Sequence, residues 1–118
     1  MEVEGVGMFR RGCDFWEAEP ESLKGGLLSI ESEAINSVQA ARAKAICANW
    51  DSVLKQCTQF IECNRHKYGL QALSFTNPNV FIEAEDRWGV YFDTDSSIES
   101  VVGVEFSGQM PCQLIIGD

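Results

Sequence analysis

Four segments decide the fold: V-F-I-E-A-E (80–85), W-G-V-Y-F-D (88–93), I-E-S-V-V-G-V-E-F (98–106) and C-Q-L-I-I-G (112–117). Apolar and polar residues alternate along them almost without fault. In an extended strand, successive side chains point to opposite faces of a sheet, so alternation predicts strands with one buried face. One parity collects Val80, Ile82, Ala84, Trp88, Val90, Phe92, Val102, Val104, Phe106, Cys112, Leu114 and Ile116, and is expected to face the core. The other collects Phe81, Glu83, Glu85, Tyr91, Asp93, Glu99, Val101, Glu105, Gln113 and Ile115. That second set mixes carboxylates with aromatic and aliphatic groups and is read as carrying no Lys or Arg. Short polar breaks at Asp86 and Arg87, 93–97 and 108–111 separate the segments, so neighbouring strands should be antiparallel.

Upstream, a stripe recurs every three or four positions: Ile35, Val38, Ala41 or Arg42, Ala45, Ile46, Trp50, Val53, Leu54, Cys57, Phe60 and Ile61. This spacing predicts helix. Ser32 is the expected N-cap of a helix from Glu33 to about His66, and Gly69 is its stop. Asn49, Trp50 and Asp51 are expected to divide the run into two helices or to bend it strongly, with Asp51 capping the second. The Asn77-Pro78-Asn79 tripeptide reads as a turn that launches the sheet. Residues 1–29 are harder to read. A short strand within 8–16, bent at Gly12, and another at 27–30 are the extended elements expected there. The fold expected is α+β: one domain over 1–118, with a helical pair packed on an antiparallel β-meander of about four or more strands.

The chain has 118 residues, 45% of them hydrophobic and 23% charged, which suits one soluble globular domain. The charge balance sets it apart. Nine Lys and Arg face 18 Asp and Glu, for a net charge of -9. Binding nucleic acid or an anionic membrane surface requires basic groups, so both are disfavoured. A basic protein partner fits, because opposite fields raise the association rate. The first residues, Met1-Glu2-Val3-Glu4, contain neither a basic nor an apolar targeting segment, and the expected location is cytoplasmic. The five cysteines, Cys13, Cys47, Cys57, Cys63 and Cys112, are odd in number and scattered, which predicts free thiols.

Catalytic patterns are poor. The one histidine, His66, stands in a basic run at a helix end, with no nucleophile motif beside it. Asp93-Thr94-Asp95-Ser96-Ser97 has the start of a calcium loop, but Ile98 replaces the required glycine and Val104 the closing glutamate. A turn closed by Asx and Ser hydrogen bonds explains it better. Neither cofactor nor metal is expected. Carboxylates interspersed with aromatics suit an interface anchor with a charged rim. The predicted partner-binding residues are therefore Phe81, Glu83, Glu85, Tyr91, Asp93, Asp95, Glu99 and Glu105. Trp16 is a further surface candidate, whereas Trp50 and Trp88 are expected in the core.

The segments D-R-W-G-V-Y-F-D (86–93), V-V-G-V-E-F-S-G (101–108) and Q-L-I-I-G-D (113–118), with the helical pair and its central Trp50 before them, resemble small acidic immunity proteins of bacterial contact-dependent inhibition and polymorphic toxin systems. The likeness is one of architecture and covers about the last two thirds of the chain. It implies a cytosolic protein that is not an enzyme, and that binds one cognate toxin domain and blocks its active site or substrate groove. Many such toxins are nucleases with basic grooves, which an acidic inhibitor would fit. No site residue follows from the resemblance. A monomer or weak dimer is expected. The competing expectations are a small enzyme using paired carboxylates and a subunit that buries its mixed sheet face against a copy of itself.

Overall fold

The computed structural model describes residues 1–83 and 86–117. Along the chain come β1 (Glu2–Val3), β2 (Gly7–Met8), β3 (Arg10–Arg11), β4 (Trp16–Ala18), a 3-10 turn (Glu21–Leu23) and β5 (Leu28–Ile30). The helices α1 (Ser37–Ala48) and α2 (Trp50–Tyr68) follow, then β6 (Phe75–Ile82), β7 (Arg87–Thr94), β8 (Val101–Ser107) and β9 (Met110–Gly117). β1 and β2 form a small ribbon of their own. The other strands make one seven-stranded sheet in the order β3-β4-β5-β6-β7-β8-β9. All its pairings are antiparallel except β5 with β6, which run parallel. The fold is α+β: two helices packed on a mostly antiparallel sheet.

The alternation in 80–116 does what its period demands. Val80, Ile82, Trp88, Val90, Phe92, Val102, Val104, Phe106 and Leu114 are all buried, in one cluster with the helical residues Ala43, Ile46, Trp50, Val53, Cys57 and Ile61. Trp88 stacks on Phe106 with ring centroids 4.0 Å apart, and its indole N–H donates to the Gly108 carbonyl at 2.8 Å. Ala84 lies outside the described residues. Cys112 breaks the pattern and is exposed. A bulge explains it: Glu105 pairs with Gln113 but the next residue, Phe106, pairs with Pro111, so Cys112 has no partner on β8 and leaves the core parity.

The first helix begins later than Ser32. Asn36 is the N-cap: its side chain accepts from the Gln39 N–H at 2.8 Å, and the Gln39 side chain accepts from the Asn36 N–H at 3.1 Å. Two otherwise unpaired backbone donors are thereby satisfied together. The Ser32 hydroxyl is committed elsewhere, to the Ala34 carbonyl at 2.6 Å. The helical run does divide in two, and a single residue, Asn49, forms the joint. Its N–H closes α1 on Ala45 and Ile46, while its carbonyl accepts from the Val53 N–H in α2. Asp51 lies in the first turn of α2 but is not its cap. Gly69, at φ 63°, ends α2 in the left-handed conformation that glycine adopts most cheaply.

The Asn77-Pro78-Asn79 tripeptide is no turn. It lies inside β6, where the register with β7 slips between Thr76 and Asn79 and Asn77 takes φ 52°. Pro78 cannot donate to a ladder, and an irregular stretch of strand accommodates it. The expected N-terminal strand bent at Gly12 is a hairpin, β3 with β4, and the one expected at 27–30 is β5. Both widen the sheet sideways beyond β6, and neither crosses the face away from the helices.

The two sheet edges differ. β3 is short and carries two arginines. β9 is eight residues long and uncharged, M-P-C-Q-L-I-I-G. Pro111, the bulge and Tyr68 guard it, the last by accepting from the Leu114 N–H at 3.3 Å. Among the described residues no helix is long and apolar enough to cross a membrane.

Placing a carboxylate at fully buried Val104 strands a charge without a partner. Val104→Asp is expected to cost on the order of 4 kcal/mol, visible as a collapsed or lost thermal unfolding transition; a melt matching the parent contradicts the core assignment. The thiols give a second check. Cys13, Cys63 and Cys112 are exposed, Cys47 and Cys57 are buried, and burial pushes the Cys57 thiol up to about 12. A thiol-specific chromogenic reagent should react promptly with three groups in the native protein and with all five only after denaturation.

Candidate interaction surface

The face of the sheet opposite the helices is uncovered by any described element. Strand register assigns its residues. One row crosses every strand: Arg10, Glu17, Ser29, Phe81, Gly89, Glu105 and Gln113. The next holds Asn79, Tyr91, Gly103 and Ile115, and the one after it Thr76, Asp93, Val101 and Gly117. Glu83 extends β6 on the other side, its N–H donating to the Arg87 carbonyl at 2.8 Å.

Tyr91 is the centre of this face. Its ring lies flat on the backbone of β7 and β8, over Gly89 and Gly103. A methyl group built on Gly89 would stand 3.1 Å from the ring, and one on Gly103 would overlap it. Glycine inside a strand marks such a close approach. These two glycines make a floor and the tyrosine lies across it, half-buried. Partial burial raises the Tyr91 hydroxyl above the usual phenol range, and the charges of Glu105 and Glu83 raise it further. The phenol therefore lies within the field of two carboxylates. Phe81, also half-buried, stands across Gly89 from Glu105.

Glu105 accepts from the Gln113 side-chain amide, and the Arg87 guanidinium is 3.9 Å away. That arginine corrects the reading of this face as free of cations. Arg87 shares the parity of Gly89 and Tyr91, and Arg10 lies in the same row at the far edge. The polar pair Asp86 and Arg87 reads as a break, but Arg87 is the first residue of β7. Its side chain is more than half exposed and its distance from Glu105 is long for an ion pair, so it screens the patch without neutralising it.

Of the predicted binding residues, Phe81, Glu83, Tyr91 and Glu105 come together around the glycine floor. Asp93 lies on the same face, exposed, accepting from the Asn77 side-chain amide at 3.0 Å. Asp95 and Glu99 do not join them. Asp95 accepts from the Leu73 and Ser74 N–H groups, which hold its carboxyl below the usual range, and Glu99 is buried with its carboxylate on the Gln71 and Ala72 N–H groups. Both fasten the connection between α2 and β6. Glu85 lies outside the described residues. Trp16 is half-buried at the start of β4, the second strand from the β3 edge, with Arg11 over its ring at 5.3 Å and its N–H on the Glu33 carbonyl.

The turn at 94–99 is closed by Ser96, whose hydroxyl accepts from the Ile98 and Glu99 N–H groups at 3.3 and 3.2 Å. Among the described residues no three His, Cys, Asp or Glu side chains are placed to share a metal ion. A polar cleft of about 350 Å³ does exist, on the helix side, lined by Arg42, Asn49, Ser52, Gln56, Trp88 and Gln109. Its one cation is committed: Arg42 donates twice to Asp86, at 2.6 and 2.8 Å, which keeps that carboxyl below its usual range. The outer face thus presents an aromatic ring lying over two glycines, with the carboxylates of Glu105 and Glu83 acting on its hydroxyl.

Comparison of the chain with protein-family models, with curated proteins and with solved structures finds no significant match.

Tyr91 should titrate above the ordinary phenol range when followed by ultraviolet absorbance. Glu83→Gln with Glu105→Gln should lower its midpoint only part of the way, since burial is the larger cause. A midpoint unmoved by the double substitution would place the carboxylates away from the phenol.

Proposed function

We propose that this protein is an inhibitor of the immunity type, which neutralises a cognate toxin domain by laying the outer face of its sheet over a basic substrate groove. The observation that carries this reading is the Tyr91 floor between Glu83 and Glu105, on an uncovered face of a chain with net charge -9. A groove built for phosphates presents Lys and Arg side chains. Those same side chains find on this face an aromatic surface for cation–π contact and two carboxylates for charge-assisted hydrogen bonds. The inhibitor would then occupy the cations that the substrate needs.

The physics assigns different tasks to different residues. Carboxylates such as half-buried Glu83 and exposed Asp93 act at a distance, steering encounter, and their effect is screened over ~10 Å at 0.1 M salt. Tyr91 acts in contact: it is rigid, already partly desolvated and central, which are properties of interface hot spots. Arg87 opposes a basic partner and should slow encounter.

The test is co-expression with the toxin domain encoded beside the gene, followed by binding kinetics. Glu83→Lys with Asp93→Lys should slow association, with the loss shrinking as salt is added. Arg87→Ala should speed it, and Tyr91→Ala should chiefly speed dissociation. Full protection by a folded Glu83→Lys, Asp93→Lys, Tyr91→Ala protein rules this face out, and the absence of any toxin gene beside it removes the toxin reading.

A further inference from the structure

Residues 70–74, between α2 and β6, form a short connection held by an unusual number of charged side chains. Glu99 accepts from the N–H groups of Gln71 and Ala72, both at 2.9 Å. Asp95 accepts from those of Leu73 and Ser74, at 2.9 and 3.2 Å. Arg65 donates to the carbonyls of Leu70 and Ala72 at 3.3 and 2.9 Å. Four consecutive backbone donors are thus held by two carboxylates from the facing β7–β8 loop. Glu99 is only 8% exposed, so one of these braces is a buried charge that depends on its two amides.

The braced loops display hydrophobic side chains outward. Leu73 is 78% exposed, the most exposed of the chain's large hydrophobic residues, and Ile98 on the facing loop is 66% exposed. A solitary exposed leucine needs no explanation. Here two exposed aliphatic side chains stand on loops that hydrogen bonds fix to each other, so little conformational freedom remains to be lost on contact. Exposed Asp95 accepts from the Leu73 N–H, and exposed Asp93 stands two residues before it at the end of β7. Asp95 is four residues beyond Tyr91, about 13 Å along an extended chain, and a standard interface of ~800 Å² per partner covers both places.

We propose that Leu73 and Ile98 form a second, apolar anchor, which enters a hydrophobic pocket rimmed by Lys or Arg on the same protein partner. The proposal rests on the inhibitor reading above and extends its footprint from the sheet face onto the loop end. Exposed Asp93 and the net charge of -9 match the basic rim, and the two aliphatic groups supply contact energy that salt does not screen.

The probe is again the toxin domain encoded beside the gene. Leu73→Ala with Ile98→Ala, at exposed positions, should leave the thermal melt unchanged and raise the dissociation rate about tenfold, without altering the salt dependence of association. Glu99→Gln is the second variant. It leaves both aliphatic side chains in place, and it should speed hydrogen exchange at the 71–74 amides and raise the dissociation rate in step. An unchanged dissociation rate in the Leu73/Ile98 double variant, while Glu83→Lys with Asp93→Lys still slows association, overturns the anchor and leaves the acidic face standing. The reverse pattern keeps the anchor and removes the face. No complex with the parent protein, or no effect of either pair, overturns both.

Discussion

The parallel pairing of β5 with β6 is the constraint on which the rest of this molecule depends. Leu28, Ser29 and Ile30 pair with Val80, Phe81 and Ile82 in the same direction. Parallel neighbours cannot be joined by a tight turn, so the chain must leave the sheet and return by a crossover. Here the crossover is α1 and α2, and it lies on one face. Burial of Ile46, Trp50, Val53, Cys57 and Ile61 against the strand residues Val90, Val104 and Phe106 completes the core on that side. The opposite face receives no described element, because the remaining strands follow one another within the sheet. The bare face is thus a product of topology before it is a feature of composition.

On that face, backbone and side chain exchange their usual roles. A sheet normally presents a rank of upright side chains, but two glycines remove part of it and Tyr91 lies across the gap. The floor is flat and partly dry, and the carboxylates stand at its rim. The helix side is braced by the Arg42–Asp86 pair and by Gln39, buried but donating to the Glu83 carbonyl at 3.2 Å. Both contacts hold the start of α1 to the β6–β7 hairpin, so the position of Glu83 on one face is tied to the packing of α1 on the other.

The period of two in 80–116 reveals the meander and its inner face, and the spacing of three and four in 35–61 reveals the helical pair. Failures arose where a local interaction outweighed a propensity. Asn36 took the cap from Ser32 because Gln39 could answer it. Cys112 left the core because a bulge shifted its register. The Asn-Pro-Asn tripeptide became irregular strand because β6 had partners on both sides and Asn79 could accept from the Leu27 N–H. The strands before Leu28 have two or three residues each, too few for any period to show. The candidate surface was half legible. Alternation located Phe81, Glu83, Tyr91 and Glu105, but it could not tell a free carboxylate from one taken up by backbone amides, as Asp95 and Glu99 are. Only tertiary contacts across twenty or more residues make that distinction.

The uncharged β9 edge ties the colloidal behaviour of the protein to acidity. Near neutral pH a charge of -9 keeps copies apart, and little is asked of Pro111, the bulge or the Tyr68 hydroxyl. Close to the isoelectric point near 4.5 that mutual repulsion vanishes, while β9, carrying no Asp, Glu, Lys, Arg or His, is as it was. Precipitation there would begin as strand added to strand at one edge, leaving the arginine-bearing edge and the folded core intact.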